Sequence, residues 1–133
     1  MKNNYMEILR HIPIMEDHGH LYMYYGTPYC DECDVYEDQD AMGNKLIVSY
    51  ECHELCTAIA DHFEKEMKWN DSLYENNIRL EDVFDVDVEK QNFTIIVSLL
   101  LYMVASMTYE DKFIDALNNG YMIRLLKRLE KLV

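Results

Sequence analysis

Residues 95–107 read IIVSLLLYMVASM, thirteen positions of which only Ser98 and Ser106 are polar. Thirteen residues of helix rise about 20 Å, well short of the roughly 20 apolar residues that a bilayer's ~30 Å hydrocarbon core requires. The run is apolar on every side instead of along one stripe, so it reads as a helix buried all round, with the rest of the chain packed about it. It is also the longest apolar run in the sequence, so no membrane span is expected.

On its C-terminal side, Thr108-Tyr109-Glu110-Asp111 has the form of a capping box for a further helix, with Tyr109, Phe113, Ala116 and Leu117 on one face. Asn119-Gly120 then supplies a left-handed cap. Residues 122–132 read as a last helix that buries Leu125, Leu126 and Leu129 and turns Arg124, Lys127, Arg128 and Lys131 to water. On the N-terminal side, Asp85 or Asp87 is placed to cap the long buried helix, and residues 69–83 read as a polar connection with one short helical piece. Before that, Ser49 caps a helix over 50–68, with Glu51 and Glu54 near its positive end. Its stripe Cys52, Cys56, Ile59, Phe63 and Met67 advances by four, three, four and four, which is helical spacing.

The N-terminal third changes period. Residues 1–10 read as a short helix ended by Ile12-Pro13, since proline disfavours helical geometry in the residue before it. Asp17-His18-Gly19-His20 is a turn. Leu21, Met23 and Tyr25 alternate with Tyr22 and Tyr24 as a strand, which Gly26-Thr27-Pro28 breaks. Val35-Tyr36 and residues 45–50 make a hairpin, with Gly43-Asn44 as turn chemistry. The expectation is an α+β fold: one domain over 1–133, mostly helical with four to five helices, and a small antiparallel sheet of two to three strands in the N-terminal half.

The segment from Leu99-Leu100-Leu101-Tyr102-Met103-Val104 through Tyr109 to Asn119-Gly120-Tyr121-Met122-Ile123-Arg124-Leu125-Leu126-Lys127-Arg128-Leu129 resembles the C-terminal half of an uncharacterised domain-of-unknown-function family of bacteria and their phages. The shared features are a buried helix ending in an aromatic residue, a helix closed by Asn-Gly or Ser-Gly, and a leucine-rich helix. The opening Ile8-Leu9-Arg10-His11-Ile12-Pro13 resembles the start of the same family. Ala105-Ser106-Met107-Thr108 stands where the family has a cluster of Arg and Glu-Arg. The resemblance implies a fold and a bacterial or phage setting, and no chemistry.

The chain carries 25 Asp and Glu against 12 Lys and Arg, for a net charge of −13. Residues 31–89 hold eighteen acidic against four basic residues, so the whole excess lies there. Half of the residues are apolar and 12% are aromatic, too many for a disordered acidic tail. Nothing at the N-terminus has the form of a secretory signal, so a cytoplasmic location in a bacterial host cell is expected. Such a charge disfavours direct binding to nucleic acid, whose phosphates need cationic partners. Its natural complement is a basic protein.

Two constellations compete for function. In CDECDVYEDQD, residues 30–40, six carboxylates stand among two cysteines with no Lys or Arg. Cys30 and Cys33, followed by Cys52 and Cys56, have the pairing of a four-thiolate structural zinc site, with His53 and His20 as substitute ligands. Against that, Cys52 and Cys56 continue the apolar stripe of their helix, where small buried thiols belong. The acidic loop also offers hard ligands for calcium or magnesium, but lacks the alternating ligands and central glycine of a calcium loop. Apart from the zinc alternative no cofactor is implied, and the lack of a nucleophile motif or Gly-rich phosphate loop argues against an enzyme.

Eleven tyrosines are present, five of them (Tyr22, Tyr24, Tyr25, Tyr29 and Tyr36) beside the acidic loop. Aromatic area next to carboxylates suits a cationic groove. The expected contact residues are Asp31, Glu32, Asp34, Tyr36, Glu37, Asp38, Asp40, Glu81, Asp82, Asp85 and Asp87. The expected function is a small phage-type inhibitor, anti-CRISPR-like, that mimics nucleic acid on the basic site of a host defence protein. The alternatives are an immunity or antitoxin protein that neutralises a basic toxin, or a zinc-stabilised regulatory domain.

Overall fold

The structure is a computed structural model, and it describes residues 5–17, 23–25, 35–39, 45–63, 68–106, 115–117 and 119–133. Side chains are described for 5–13, 15–16, 52–63, 68–106, 115–117 and 119–133.

At the centre lies α5, Phe93–Ala105, the helix read from the apolar run. Every residue from Ile95 through Met103 on it is buried, with Ile96, Val97, Leu99, Leu100 and Met103 fully so. Its two buried serines need partners, and each finds one in its own helix: Ser98 Oγ donates to the Thr94 carbonyl at 2.7 Å and Ser106 Oγ to the Met103 carbonyl at 3.0 Å. α3 (Tyr50–Phe63), α4 (Trp69–Glu75) and α6 (Tyr121–Leu132) pack around α5. α1 (Met6–Leu9) lies on α3 and α6, and α2 (His11–Asp17) on α6. The predicted stripe of α3 is buried at Cys52, Cys56, Ile59 and Phe63, and Leu55 joins it. Met67 lies outside the described residues. No described helix is long and apolar enough to cross a membrane.

The α+β class is corrected. Among the residues whose side chains are described, helices and their connections account for all of the structure, and no strand occurs. The backbone segments β1 (Met23–Tyr25), β2 (Val35–Gln39) and β3 (Lys45–Ser49) form an antiparallel ladder in the order β1-β3-β2. A layer is defined by the apolar surface it buries. Every described buried apolar residue lies on a helix, a 3-10 turn or the helical stretch 115–117, so the described core is helical.

Two helix boundaries also differ from expectation. The chain does not leave helical geometry at Ile12-Pro13. Instead it breaks at Arg10, whose N–H still reaches the Met6 carbonyl at 2.9 Å, and restarts as α2 with Pro13 in the first turn. There the missing proline N–H would have had no intrahelical partner in any case. Upstream of α5, neither Asp85 nor Asp87 is the cap. Two 3-10 turns, Leu80–Asp85 and Val88–Lys90, each run into extended backbone at Val86 (ψ 135°) and Gln91 (ψ 152°). Asn92 is the cap, its Oδ1 accepting the Ile95 N–H at 3.0 Å. The interruptions let Val83 and Val88 both reach full burial, and they bring Phe84 edge-on to Tyr121 with ring centroids 4.9 Å apart.

The capping box at 108–111 lies outside the described residues, although 115–117 is helical with Ala116 buried. The Asn119 N–H donates to the Asp115 carbonyl at 2.9 Å, after which Gly120 takes φ +82° and leads directly into α6. A Cβ at Gly120 meets nothing within 4 Å, so the constraint is the backbone conformation and not space. Gly120→Ala is expected to cost about 1 kcal/mol in urea unfolding, and Gly120→Asn less, because asparagine tolerates the left-handed region.

Candidate protein-binding groove

α4 is short, and its end shapes the surface. After Glu75 the chain closes in a Schellman arrangement: the Asn77 N–H donates to the Tyr74 carbonyl at 3.1 Å and the Ile78 N–H to the Leu73 carbonyl at 2.9 Å. Asn77 takes the left-handed position at φ +59°, where asparagine is tolerated. Arg79 is then extended, with ψ 143°, and carries the chain into the first 3-10 turn. Between α4 and this turn opens a groove of about 560 Å³. Leu73, Ile78 and Leu80 supply apolar lining, while Asn70, Asn77, Arg79 and Glu81 supply polar groups. Tyr74 also lines it and is 83% exposed. Trp69 packs tilted against Tyr102 of the central helix, ring centroids 5.3 Å apart, which ties α4 to the core.

Leu80 and Glu81, at the start of the acidic turn Leu80–Asp85, line one side of the groove. Residues three apart in a 3-10 helix eclipse one another. Val83 is buried and Val86, three residues on, is partly buried, while Asp82 and Asp85 share an exposed edge. The predicted contact carboxylates then divide by their partners. Arg79 Nη1 stands 3.7 Å from Glu81, and Lys90 Nζ stands 3.5 Å from Asp87. Asp82 and Asp85 form no ion pair among the described residues. Just beyond, Arg124 grips Glu89 through two hydrogen bonds of 3.1 and 3.0 Å. This grip lowers the Glu89 carboxyl to about 2 and raises the Arg124 guanidinium.

Of the other expected contact residues, Asp31, Glu32, Asp34 and Asp40 lie outside the described residues. For Tyr36, Glu37 and Asp38 the backbone is placed on β2, opposite Val48, Ile47 and Leu46 of β3. Of the remaining carboxylates, Glu81 lines the groove with Tyr74, Asp82 and Asp85 follow it on the same 3-10 turn and Asp87 lies just after it.

Of the expected thiolate set, Cys30 and Cys33 lie outside the described residues, as does His20. Cys52 and Cys56 are buried thiols one turn apart on α3, neither in a disulfide. The side-chain hydrogen bond with Cys56, then burial, pushes the Cys52 thiol well up. Among the described residues, no group of three or more His, Cys, Asp and Glu side chains is placed to hold a metal ion. His53 is exposed on α3, in a second groove of about 400 Å³ that it shares with Glu7, Arg10, Asp61 and His62.

Sequence reading did not single out Asn70 or Asn77 as groove residues. The Asn76-Asn77 pair at the end of a short amphipathic segment was the available signal for a left-handed helix stop. No family model, no curated protein and no solved structure matches the chain.

Proposed function

We propose that the chain is a protein-binding inhibitor that occupies the basic nucleic-acid-binding surface of a host defence protein, with the groove beside Tyr74 as its point of contact. The observation that carries this reading is Tyr74, a large aromatic side chain 83% exposed at a groove that Glu81 also lines, with Asp82 and Asp85 exposed on the 3-10 turn that Glu81 belongs to. A tyrosine held on a helix offers contact area at small entropic cost, and aromatic anchors dominate many interfaces. Its ring face accepts a guanidinium or ammonium group by cation–π attraction, while the carboxylates accept its hydrogen bonds. The net charge of −13 draws a cationic partner from a distance. Asp82 and Asp85 contribute most at short range, because Glu81 and Asp87 are already paired with Arg79 and Lys90.

The test is capture of a basic nucleic-acid-binding protein from bacterial lysate by the full chain, followed by affinity measurements on the purified pair. Tyr74→Ala is expected to weaken binding by roughly 30-fold, the scale of a 2 kcal/mol anchor. The double variant D82N/D85N is expected to slow association and flatten its dependence on salt. A complex unmoved by both variants and by ionic strength would rule this reading out.

A further inference from the structure

On a chain of net charge −13, one face of α6 runs the other way: Arg124, Lys127, Arg128 and Lys131, spaced three, one and three apart, lie together opposite the buried Leu125, Leu126 and Leu129. With Glu89 they enclose a pocket of about 160 Å³, lined by none of the residues of the groove beside Tyr74.

From this pocket we infer a binding site for a compact phosphate-type dianion, free or as a terminal phosphomonoester. Three of its four cations are held in position by the surrounding structure. Glu89 orients Arg124 through two hydrogen bonds of 3.1 and 3.0 Å, and Arg128 Nε donates to the Gln91 carbonyl at 3.0 Å. Lys127 Nζ lies 3.0 Å from Glu16. Lys131 forms no hydrogen bond or ion pair among the described residues. Glu89 and Glu16 neutralise two of the four positive charges, so two remain in excess, the charge of one dianion. Orientation of the guanidiniums before the ligand arrives lowers the ordering cost of binding. Guanidinium groups also match phosphate oxygens in geometry.

The charge of the whole chain sets the size of the ligand. At physiological ionic strength a Debye length of about 8 Å lets a compact anion feel chiefly the nearby cations. An extended polyanion reaches past them into the negative field of the rest of the surface. The site therefore selects a small phosphate over nucleic acid.

The test is titration of the full chain with inorganic phosphate at constant ionic strength, read by amide and Arg side-chain NMR shifts. Saturable shifts confined to α6 and the 88–91 segment are expected, with half-saturation near about 1 mM or tighter. R128Q/K131Q is expected to raise the half-saturation point roughly tenfold. K131Q, which breaks no described bond, is expected to raise it by a smaller factor. K68Q makes the same change in net charge as K131Q but lies outside the pocket, and should leave binding unchanged. Glycerol 2-phosphate binding tighter than inorganic phosphate would assign the site to an esterified phosphate, and the reverse order to the free ion. Shifts that never saturate, a K68Q effect equal to that of K131Q, or tighter binding of a short DNA duplex than of phosphate would each overturn the assignment.

Discussion

Leu99→Ala is expected to destabilise the chain by about 3–5 kcal/mol in urea unfolding, the upper range for a leucine removed from a packed core. Leu99 is fully buried at the middle of α5, the helix on which α3, α4 and α6 all pack. Neighbours on so many sides cannot collapse into the space left by the side chain, and the cost grows with the cavity that remains. Domains of this size are stable by only about 5–15 kcal/mol, so one such substitution removes a large part of the total. Leu99→Met, which keeps most of the volume, is expected to cost less than about 1.5 kcal/mol. A loss below about 1 kcal/mol for Leu99→Ala would show that α5 is not the centre of the fold.

Acid is expected to destabilise the fold through His11. This residue is fully buried at the start of α2, and its pKa is lowered to about 4. Burial is the main cause, the Arg10 charge adds to it, and Glu54 and the Glu7 backbone oppose it. Since the folded pKa lies below the ordinary value of 6.5, the unfolded chain binds the proton more readily. The contribution is fully present above pH 6.5 and is lost as pH falls toward about 4. By the linkage relation the loss is about 2 kcal/mol at pH 5 and approaches about 3 kcal/mol below the folded pKa. Protonation of unpaired carboxylates acts in the opposite direction, by relieving repulsion on a chain of charge −13, whereas Glu89, held low by Arg124, loses its contribution as pH falls from about 4.5 toward about 2. The measurement that isolates His11 is therefore the difference between the pH–stability curves of the native chain and of His11→Gln. That difference should vary between pH 6.5 and 4 and be flat above. A flat difference across the whole window would mean that His11 titrates alike in both states.

The central helix and its partners were legible because hydrophobic pattern and burial report the same free energy. A thirteen-residue run without charge has no exposed face to offer, and α5 is buried on all sides. The stripes of α3 and α6 were likewise visible at helical spacing. Boundaries were less so. Asp85, Asp87 and Asn92 are all competent caps, and only the need to bury Val83 and Val88 before α5 begins selects Asn92. Pro13 reads as a stop or as a first-turn residue with equal local sense, and packing of α2 on α6 decides for the latter. The α+β reading is overturned because the part of the chain whose side chains are described consists of helices and their connections throughout, although strand-forming residues at 23–25 and 45–49 do pair as backbone.

The candidate site divides in the same way. Sequence showed that the acidic excess is concentrated in 31–89 and that tyrosine is abundant, but charge counted along a chain says nothing about which carboxylates are already neutralised. Arg79, Lys90 and Arg124 lie two, three and thirty-five residues from Glu81, Asp87 and Glu89, and only folding places the last pair together.

By itself, then, the sequence determined which segments must be buried, that the chain carries strong negative charge with one basic helix face, and that a left-handed stop falls at Gly120. Each of these depends on residue type and near neighbours alone. Tertiary structure decided which aspartate edge stays unpaired, that Tyr74 stands at an open groove, and that four cations of α6 converge with Glu89. Those features are distances between side chains, in the case of Glu89 and α6 across thirty-five residues or more, and distance, through Coulomb attraction and desolvation, is what sets their energies.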